Sequence, residues 1–336
     1  MLRAVEAAER VHGRTSPNPW VGAVLVPPPA AGHPSAWFTG ATAPPGGPHA
    51  EVSALAAAGD QARGGTLYVT LEPCSHHGRT PPCVDAILAA GVGRVVVGMV
   101  DPDPQVDGKG IAALRQGGVA VEVGVGAEVV AEQLAPYVTQ RRTGRPWVVL
   151  KLAATLDGRS AAPDGSSRWI TGEEARLDAH RLRAVSDAII VGSGTVRADD
   201  PELTVRLPEG DPLFRGPDEQ PARVVLGTAP AGSAVLPAIE LSGPLEVVLD
   251  ELGAQGMVQV MVEGGSSVAH DFHAAGLVDR YVLYLAPALF GGDDARPIFT
   301  GPGAATIDEM WRGELRSVTS LGSDVRVELA PAGRPS

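Results

Sequence analysis

The side chains best suited to chemistry fall between residues 49 and 83: His-Ala-Glu at 49–51, then EPCSHHGRTPPC at 72–83. His49, Cys74 and Cys83 together offer one imidazole and two thiolates, a donor set that suits Zn²⁺ and leaves a fourth tetrahedral position for water. Glu51 is then spare, and a carboxylate two residues from a ligating histidine is placed to carry protons to and from that water. The pattern is that of a hydrolytic zinc deaminase site. Other uses of the same residues stay open: a structural zinc clip with His76 or His77 as fourth ligand, a disulfide, or unrelated core thiols. The wide cysteine spacing in a Pro/Gly-rich loop weighs against the clip, and nothing in the sequence looks secreted, which weighs against the disulfide.

The elements around these residues alternate between helix and strand. HAEVSALAAAG at 49–59 has helical character, with His49 in its first turn and Glu51 half a turn on. A strand at 66–71 leads into the cysteine loop, and CVDAILAAG opens a second helix at Cys83, whose dipole favours thiolate over thiol. A helix over 2–12, strands at 21–26, 36–40, 94–100 and 119–124, and a helix near 109–117 complete a first domain over 1–124. Residues 125–145 read as a connector, an amphipathic helix GAEVVAEQLAPY followed by polar VTQRRTGRP, and a second domain runs over 146–331. There WITGEEARLDAHRLRAVS starts a helix capped at Thr171 or Gly172, and DAIIVGSGTV, RVVLG at 223–227, VQVMVEGGSS at 258–267 and YVLYLAP at 281–287 are strands. Strand–glycine–helix junctions of this kind suit nucleotide-binding sheets. GSGT at 192–195 lacks the third glycine of a dinucleotide fingerprint, whereas VEGGSS follows a strand and opens the helical stretch SVAHDFHAAG, so its amides can face a pyrophosphate.

At 336 residues the chain is long enough for two cores. A formal charge of −12 repels polyanions and excludes nucleic acid as the expected partner. No apolar run approaches the ~20 residues of a membrane helix, and MLRAVEAAERVHGRT is amphipathic rather than a signal peptide. A cytoplasmic, reducing setting is expected, where two metal-bound thiolates survive.

The series NPWVGAVLV, PHAEVSAL, YVTLEPCSHHGRTPPC and DPDPQVDGKG resembles the deaminase half of the bifunctional riboflavin-biosynthesis deaminase/reductase family. The series RPWVVLKLAATLDGRSA, SRWITGEEAR, GTVRADDPELTVR and VEGGSSVAHDF is similar to its reductase half. The gap SHHGRTPP between the cysteines separates this group from deaminases whose second motif is P-C-x-x-C. The resemblance implies an α/β protein: an N-terminal cytidine-deaminase-like three-layer α/β/α domain and a C-terminal dihydrofolate-reductase-like α/β domain. It implies two consecutive steps, hydrolytic deamination of 2,5-diamino-6-(5-phosphoribosylamino)pyrimidin-4(3H)-one with Zn²⁺, then reduction of the ribosyl group to ribityl with NADPH. The partners expected are this phosphorylated ribotide and, at most, further copies of the chain as a homo-oligomer, with no membrane partner.

Residue by residue, the resemblance assigns Glu51 to catalysis, His49, Cys74 and Cys83 to the metal, and Asn18, His76 and Arg79 to substrate in the first half. Thr42 stands where that pattern often carries a histidine. In the second half it maps substrate contacts onto Lys151, Ser167, Thr171, Arg183, Asp200, Leu203, Arg206 and Glu263, with Arg183 and Arg206 suited to a phosphate. Cofactor contacts map onto Ala153, Trp169, Thr195, Asp199, Thr228, Gly265, Ser266, Ser267, Val268, Ala269, His270 and Asp271. The chain departs from the pattern at 228–244, where a short Ala/Pro/Gly-rich stretch replaces an expected strand unit near the adenosine end of the dinucleotide.

Overall fold

The computed structural model describes residues 1–29, 36–78 and 80–333. The chain divides into two compact units, one over Met1–Gly144 and one beginning at Arg145. The first contains α1 (Leu2–Glu9), β1 (Gly22–Val26), β2 (Phe38–Ala41), α2 (Ala50–Ala58), β3 (Thr66–Leu71), α3 (Cys83–Ala89), β4 (Arg94–Met99), α4 (Lys109–Gln116), β5 (Ala120–Val123), α5 (Ala127–Gln133) and α6 (Ala135–Thr143). Its strands form one sheet in the order β2-β1-β3-β4-β5, with β1 antiparallel to both neighbours and β3, β4 and β5 parallel. A parallel strand covered on both faces must be apolar along its length, which RVVVGM satisfies: Val95, Val96 and Val97 are all buried.

Two glycines show how tightly the helices close on this sheet. A Cβ on Gly22 would lie 1.8 Å from the Ala4 carbonyl oxygen of α1, and one on Gly40 would lie 2.1 Å from the Ala50 oxygen of α2. Gly40 pairs with Ala23, the neighbour of Gly22, so α1 and α2 cover opposite faces. The outcome is three layers, as the resemblance implied. Residues 127–143, inside the stretch that the sequence marks as a connector, fold as α5 and α6. Val130, Leu134, Ala135 and Tyr137 are buried, the Gln133 amide donates to Val5 O at 2.9 Å, and Tyr137 donates to Asp101 Oδ1 at 3.1 Å. Pro136 sits in the first turn of α6, where its missing N–H costs nothing, and restarts the helix there.

The second unit contains β6 (Trp147–Thr155), β7 (Arg159–Ala161), α7 (Glu173–Ala184), β8 (Ala188–Gly192), α8 (Ser193–Asp199), β9 (Ala222–Leu226), β10 (Ile239–Leu241), α9 (Leu245–Ala254), β11 (Gln259–Val262), α10 (Ser266–Ala274), β12 (Arg280–Ala286), β13 (Arg296–Pro297), β14 (Gly313–Leu321) and β15 (Asp324–Pro331). Eight strands form a mixed sheet in the order β10-β9-β8-β11-β6-β12-β15-β14, parallel from β10 to β12 and antiparallel at β15 and β14. Helices α9 and α10 bury Leu249, Leu252 and Phe272 against Val148, Leu150, Val260 and Val262 on one face. On the other face Ala175 and Ala179 of α7 pack with Val149, Val282 and Tyr284, and Val196 of α8 with Ile189, Val191 and Met261.

The stretch 228–244 corrects the expectation of a missing strand. β10 lies there, parallel to β9 with Ile239 opposite Val224, and its alternation sends Ile239 and Leu241 to the core. The hairpin β14–β15, to which the sequence analysis assigns nothing, closes at Gly322 with φ +60°, in the left-handed region that favours glycine. Among the described residues no helix is long and apolar enough to cross a membrane.

Candidate active sites in the two units

In the first unit, three elements converge on one point. His49 is the N-cap of α2, with extended backbone (φ −74°, ψ 164°), rather than a residue of its first turn. Cys74 follows β3, and Cys83 opens α3. The ligand atoms of His49, Cys74 and Cys83 all lie within 4.8 Å of one another. His49 Nδ1 is 3.2 Å from Cys83 Sγ and 3.6 Å from Cys74 Sγ, and the Cys83 N–H donates to Cys74 Sγ at 3.4 Å. Both cysteines are free, which removes the disulfide. Neither His76 nor His77 joins the cluster among the described residues, and both are exposed, which removes the fourth ligand a structural clip needs.

Glu51 is 3 % exposed and contacts the Cys83 thiol. Burial pushes its carboxyl from the ordinary 4.5 up to about 7. The Cys74 thiol is pulled down to about 4, chiefly by its hydrogen bond with Cys83, while Cys83 is held up by the same contact and by burial. A divalent cation bound by both sulfurs would favour the thiolate at each. A residue the sequence reading passed over, Thr80, places its hydroxyl 3.4 Å from His49 Nε2, on the far side of the ring from the thiols. Asn18 sits in a tight turn, its N–H donating to Thr15 O at 2.8 Å and its carbonyl accepting from the Thr15 hydroxyl at 2.9 Å. Thr42 is buried and accepts the Val21 N–H at 3.1 Å, so the side chain serves the backbone where β1 begins. Arg79 lies outside the described residues.

In the second unit a cleft of about 1600 Å³ opens at the C-terminal ends of β6, β8 and β11. All the mapped substrate contacts line it: Lys151, Ser167, Thr171, Arg183, Asp200, Leu203, Arg206 and Glu263. Of the mapped cofactor contacts, Ala153, Trp169, Thr195, Asp199, Gly265, Ser266, Ser267, Val268 and Asp271 line it as well. Three do not. Thr228 lies outside the cleft on the exposed turn after β9, Ala269 is fully buried on the core face of α10, and the ring of His270 packs over Gly301. A helix turns about 100° per residue, so the run 265–271 cannot present every side chain to one ligand.

Glu263 directly follows the strand β11 and receives Arg183 in a two-pronged contact, Nε on Oε1 and Nη2 on Oε2 at 3.0 Å, with Lys151 Nζ at 3.7 Å from Oε2. Arg183 Nη1 donates to Thr204 O at 2.9 Å. Arg183, expected as a phosphate partner, lines the cleft with its guanidinium engaged by Glu263, whereas Arg206 is about half exposed and bonded to Glu202. Burial alone would raise the Glu263 carboxyl, but Arg183 and then Lys151 outweigh it and hold the group at about 2.

Residues 1–99 match the cytidine and deoxycytidylate deaminase zinc-binding region, and residues 146–327 match the RibD C-terminal domain. The riboflavin biosynthesis protein RibD of Escherichia coli K12 is 39% identical over 99% of this chain and 98% of its own length. That of Mycobacterium tuberculosis is 42% identical over 97% of this chain and 95% of its own. The structure of Acinetobacter baumannii RibD superposes with TM-score 0.89 at 37% identity, covering 98% of this chain and 97% of the other. The chain belongs to the RibD family.

As a RibD family member the chain carries a zinc-binding region, and the donor set among the described residues, two sulfurs and one imidazole, fits that ion. The RibD-type cleft of the second unit likewise fits a dinucleotide. A Cβ on Gly264 would lie 2.5 Å from Val268 Cβ, so only glycine lets the backbone approach the start of α10 this closely. Gly265 caps α10, and its N–H donates to the Thr195 hydroxyl at 3.1 Å. Arg176, Arg168 and Arg296 line the same cleft and carry no local sequence signal, because only the tertiary fold brings them there.

The Glu263 triad supports a stability prediction. Glu263→Gln leaves Arg183 buried without its counter-charge and should cost ~3–5 kcal/mol, read as a lowered Tm. Because the Glu263 carboxyl is depressed, the stability it contributes is complete above the ordinary carboxylate range and lost as pH falls toward about 2. The variant's deficit should therefore shrink in acid, and a deficit independent of pH would remove the ion pair as its cause.

Proposed function

We propose that this chain carries out two consecutive steps of riboflavin biosynthesis, deamination of 2,5-diamino-6-(5-phosphoribosylamino)pyrimidin-4(3H)-one and then NADPH-dependent reduction of the ribosyl group to ribityl. The observation that carries the reading is the convergence of His49, Cys74 and Cys83 within 4.8 Å, with Glu51 buried beside them. The chain's family, matched over nearly its whole length, supplies the reaction order.

Zinc, when bound by His49, Cys74 and Cys83, supplies Lewis-acid activation of a water. Glu51 holds the proton that must move: its carboxyl, raised by burial, takes a proton on one oxygen and delivers it to the leaving nitrogen, which departs as ammonia. The α3 N-terminus would add to the pull of a bound metal on Cys83, which burial and Cys74 otherwise hold in its protonated form. Asn18 would hold the pyrimidine ring, and His76 and Arg79 would bind the rest of the ribotide.

In the second unit NADPH, when bound, supplies the hydride. Thr195, Gly265, Ser266, Ser267, Val268 and Asp271 would hold its phosphates and ribose, and Ala153, Trp169 and Asp199 its remaining length. Lys151, Ser167, Thr171, Asp200, Leu203, Arg206 and Glu263 would place the ribotide, with the exposed Arg206 suited to its phosphate. No covalent nucleophile is required, since the protein's task is placement. The reaction suits the cytoplasm, and a homo-oligomer is compatible with it.

The test is a coupled assay on zinc-loaded protein. The diaminopyrimidine ribotide should release ammonia, and NADPH absorbance should then fall only after that release. Folded, zinc-loaded protein that frees no ammonia sinks the first half, and ammonia without NADPH consumption sinks the second.

A further inference from the structure

Helix α7 carries Arg176, His180 and Arg183, a spacing of i, i+4 and i+7 that puts all three on one face. Each reaches the backbone of a segment that lines the cleft. Arg176 Nη1 donates to Thr171 O at 2.7 Å, and its guanidinium lies 4.6 Å from the centroid of the Trp169 ring, which is 68% exposed. His180 Nδ1 accepts the Arg206 N–H at 3.2 Å, and Arg183 Nη1 donates to Thr204 O at 2.9 Å.

The second of these walls needs such support. Residues 200–206 form no strand, and Asp200 and Leu203 hold φ of 40° and 56°, in a region costly for side chains other than glycine. Two of its amides are met by side chains instead of a ladder: Val205 N–H donates to Gln220 Oε1 at 2.6 Å, as Arg206 N–H does to His180. Acceptance at Nδ1 requires an imidazole unprotonated there. Burial, with Arg183 and Arg206 adding repulsion, holds His180 down at about 4 and keeps it neutral at physiological pH.

We propose that Arg176 and His180 are positioning residues of the reductase cleft, Arg176 for the Trp169–Thr171 wall, which offers Trp169 to the cofactor and Thr171 to the ribotide, and His180 for Arg206 against the substrate phosphate. The proposal rests on the reductase reading above and adds to it how one helix sets the distance between two ligand-binding walls. Misplacement of such walls by an ångström is enough to cost ~10-fold or more in binding.

The experiment uses the full, zinc-loaded chain and compares Arg176→Leu, Arg176→Lys, His180→Leu and His180→Asn with wild type. NADPH affinity is read by quenching of tryptophan fluorescence, independent of turnover. KM for the deaminated ribotide, reductase kcat, Tm and ammonia release are measured beside it. Arg176→Leu should weaken NADPH by about tenfold and raise ribotide KM severalfold, since its wall carries Thr171 as well as Trp169, and His180→Leu should raise ribotide KM by about tenfold with NADPH affinity little changed. His180→Asn, which keeps an acceptor near the Arg206 N–H, should recover most of that KM. Arg176→Lys, which keeps a donor for Thr171 O but loses the planar stack, should recover NADPH affinity in part. If a leucine variant does not fold, its conservative partner carries the comparison. Ammonia release should stay at the wild-type rate throughout. Affinities within twofold of wild type in folded variants overturn the proposal, as does an equal loss of both ligands that merely tracks Tm. Absence of NADPH turnover in wild type sinks the reductase reading itself, whereas wild-type turnover with unmoved variants sinks only the positioning roles.

Discussion

Glu51→Gln is expected to slow ammonia release by ~10²–10⁴-fold while zinc stays bound. The amide matches the carboxylate in shape, so the packing around this nearly buried side chain survives, but it can neither accept nor return a proton. The wild-type carboxyl is raised by burial, and the reaction uses its ionised form to take the first proton. The rate should therefore fall as pH drops through the pKa of this group, and that acidic limb should be absent from the variant's residual rate. Zinc content by metal analysis, run beside the kinetics, decides the role. If the variant loses its metal, Glu51 holds the site together rather than moving protons, and if it keeps both metal and rate, the proton is carried elsewhere.

Removing zinc should abolish deamination, by ~10³-fold or more, and leave reduction of a pre-deaminated ribotide unchanged. The three donors all belong to the first unit, while every residue lining the reductase cleft belongs to the second, so one step loses its electrophile and the other loses nothing. Cys83→Ser should act in the same direction, because it removes a soft ligand at the opening of α3 and weakens zinc binding. Chelation that halts both steps alike would mean that the reductase unit depends on the metal, and deamination that survives full removal of zinc would end the hydrolytic reading.

The metal site was legible from residue types because its chemistry is local in kind. Only two cysteines occur in the chain, both in one loop between a strand and a helix start, and a histidine and a glutamate two residues apart mark the opening of another helix. The same holds for VEGGSS, where close packing of Gly264 on Val268 demands glycine whatever the rest of the chain does. These signals lie in residue identity at short range, and a reader of the string can find them.

Partner choice across long stretches of chain is another matter. That Arg183 would meet Glu263, eighty residues on, was decided by α7 packing on the sheet beside the end of β11. Ala269 and His270 shared a motif with Gly265 but were turned to the core and to Gly301 by helical rotation, and α5 and α6 used their apolar stripe within the first unit. Arg176 and His180 look like ordinary surface residues of a charged helix until the walls they hold are seen. Amino-acid sequence by itself determined the donor set, its spare acid and the two kinds of unit, because those depend on composition and spacing over a few residues. Tertiary structure alone decided which charges neutralise one another and which face a ligand, because burial and pairing are set by the elements that happen to pack there.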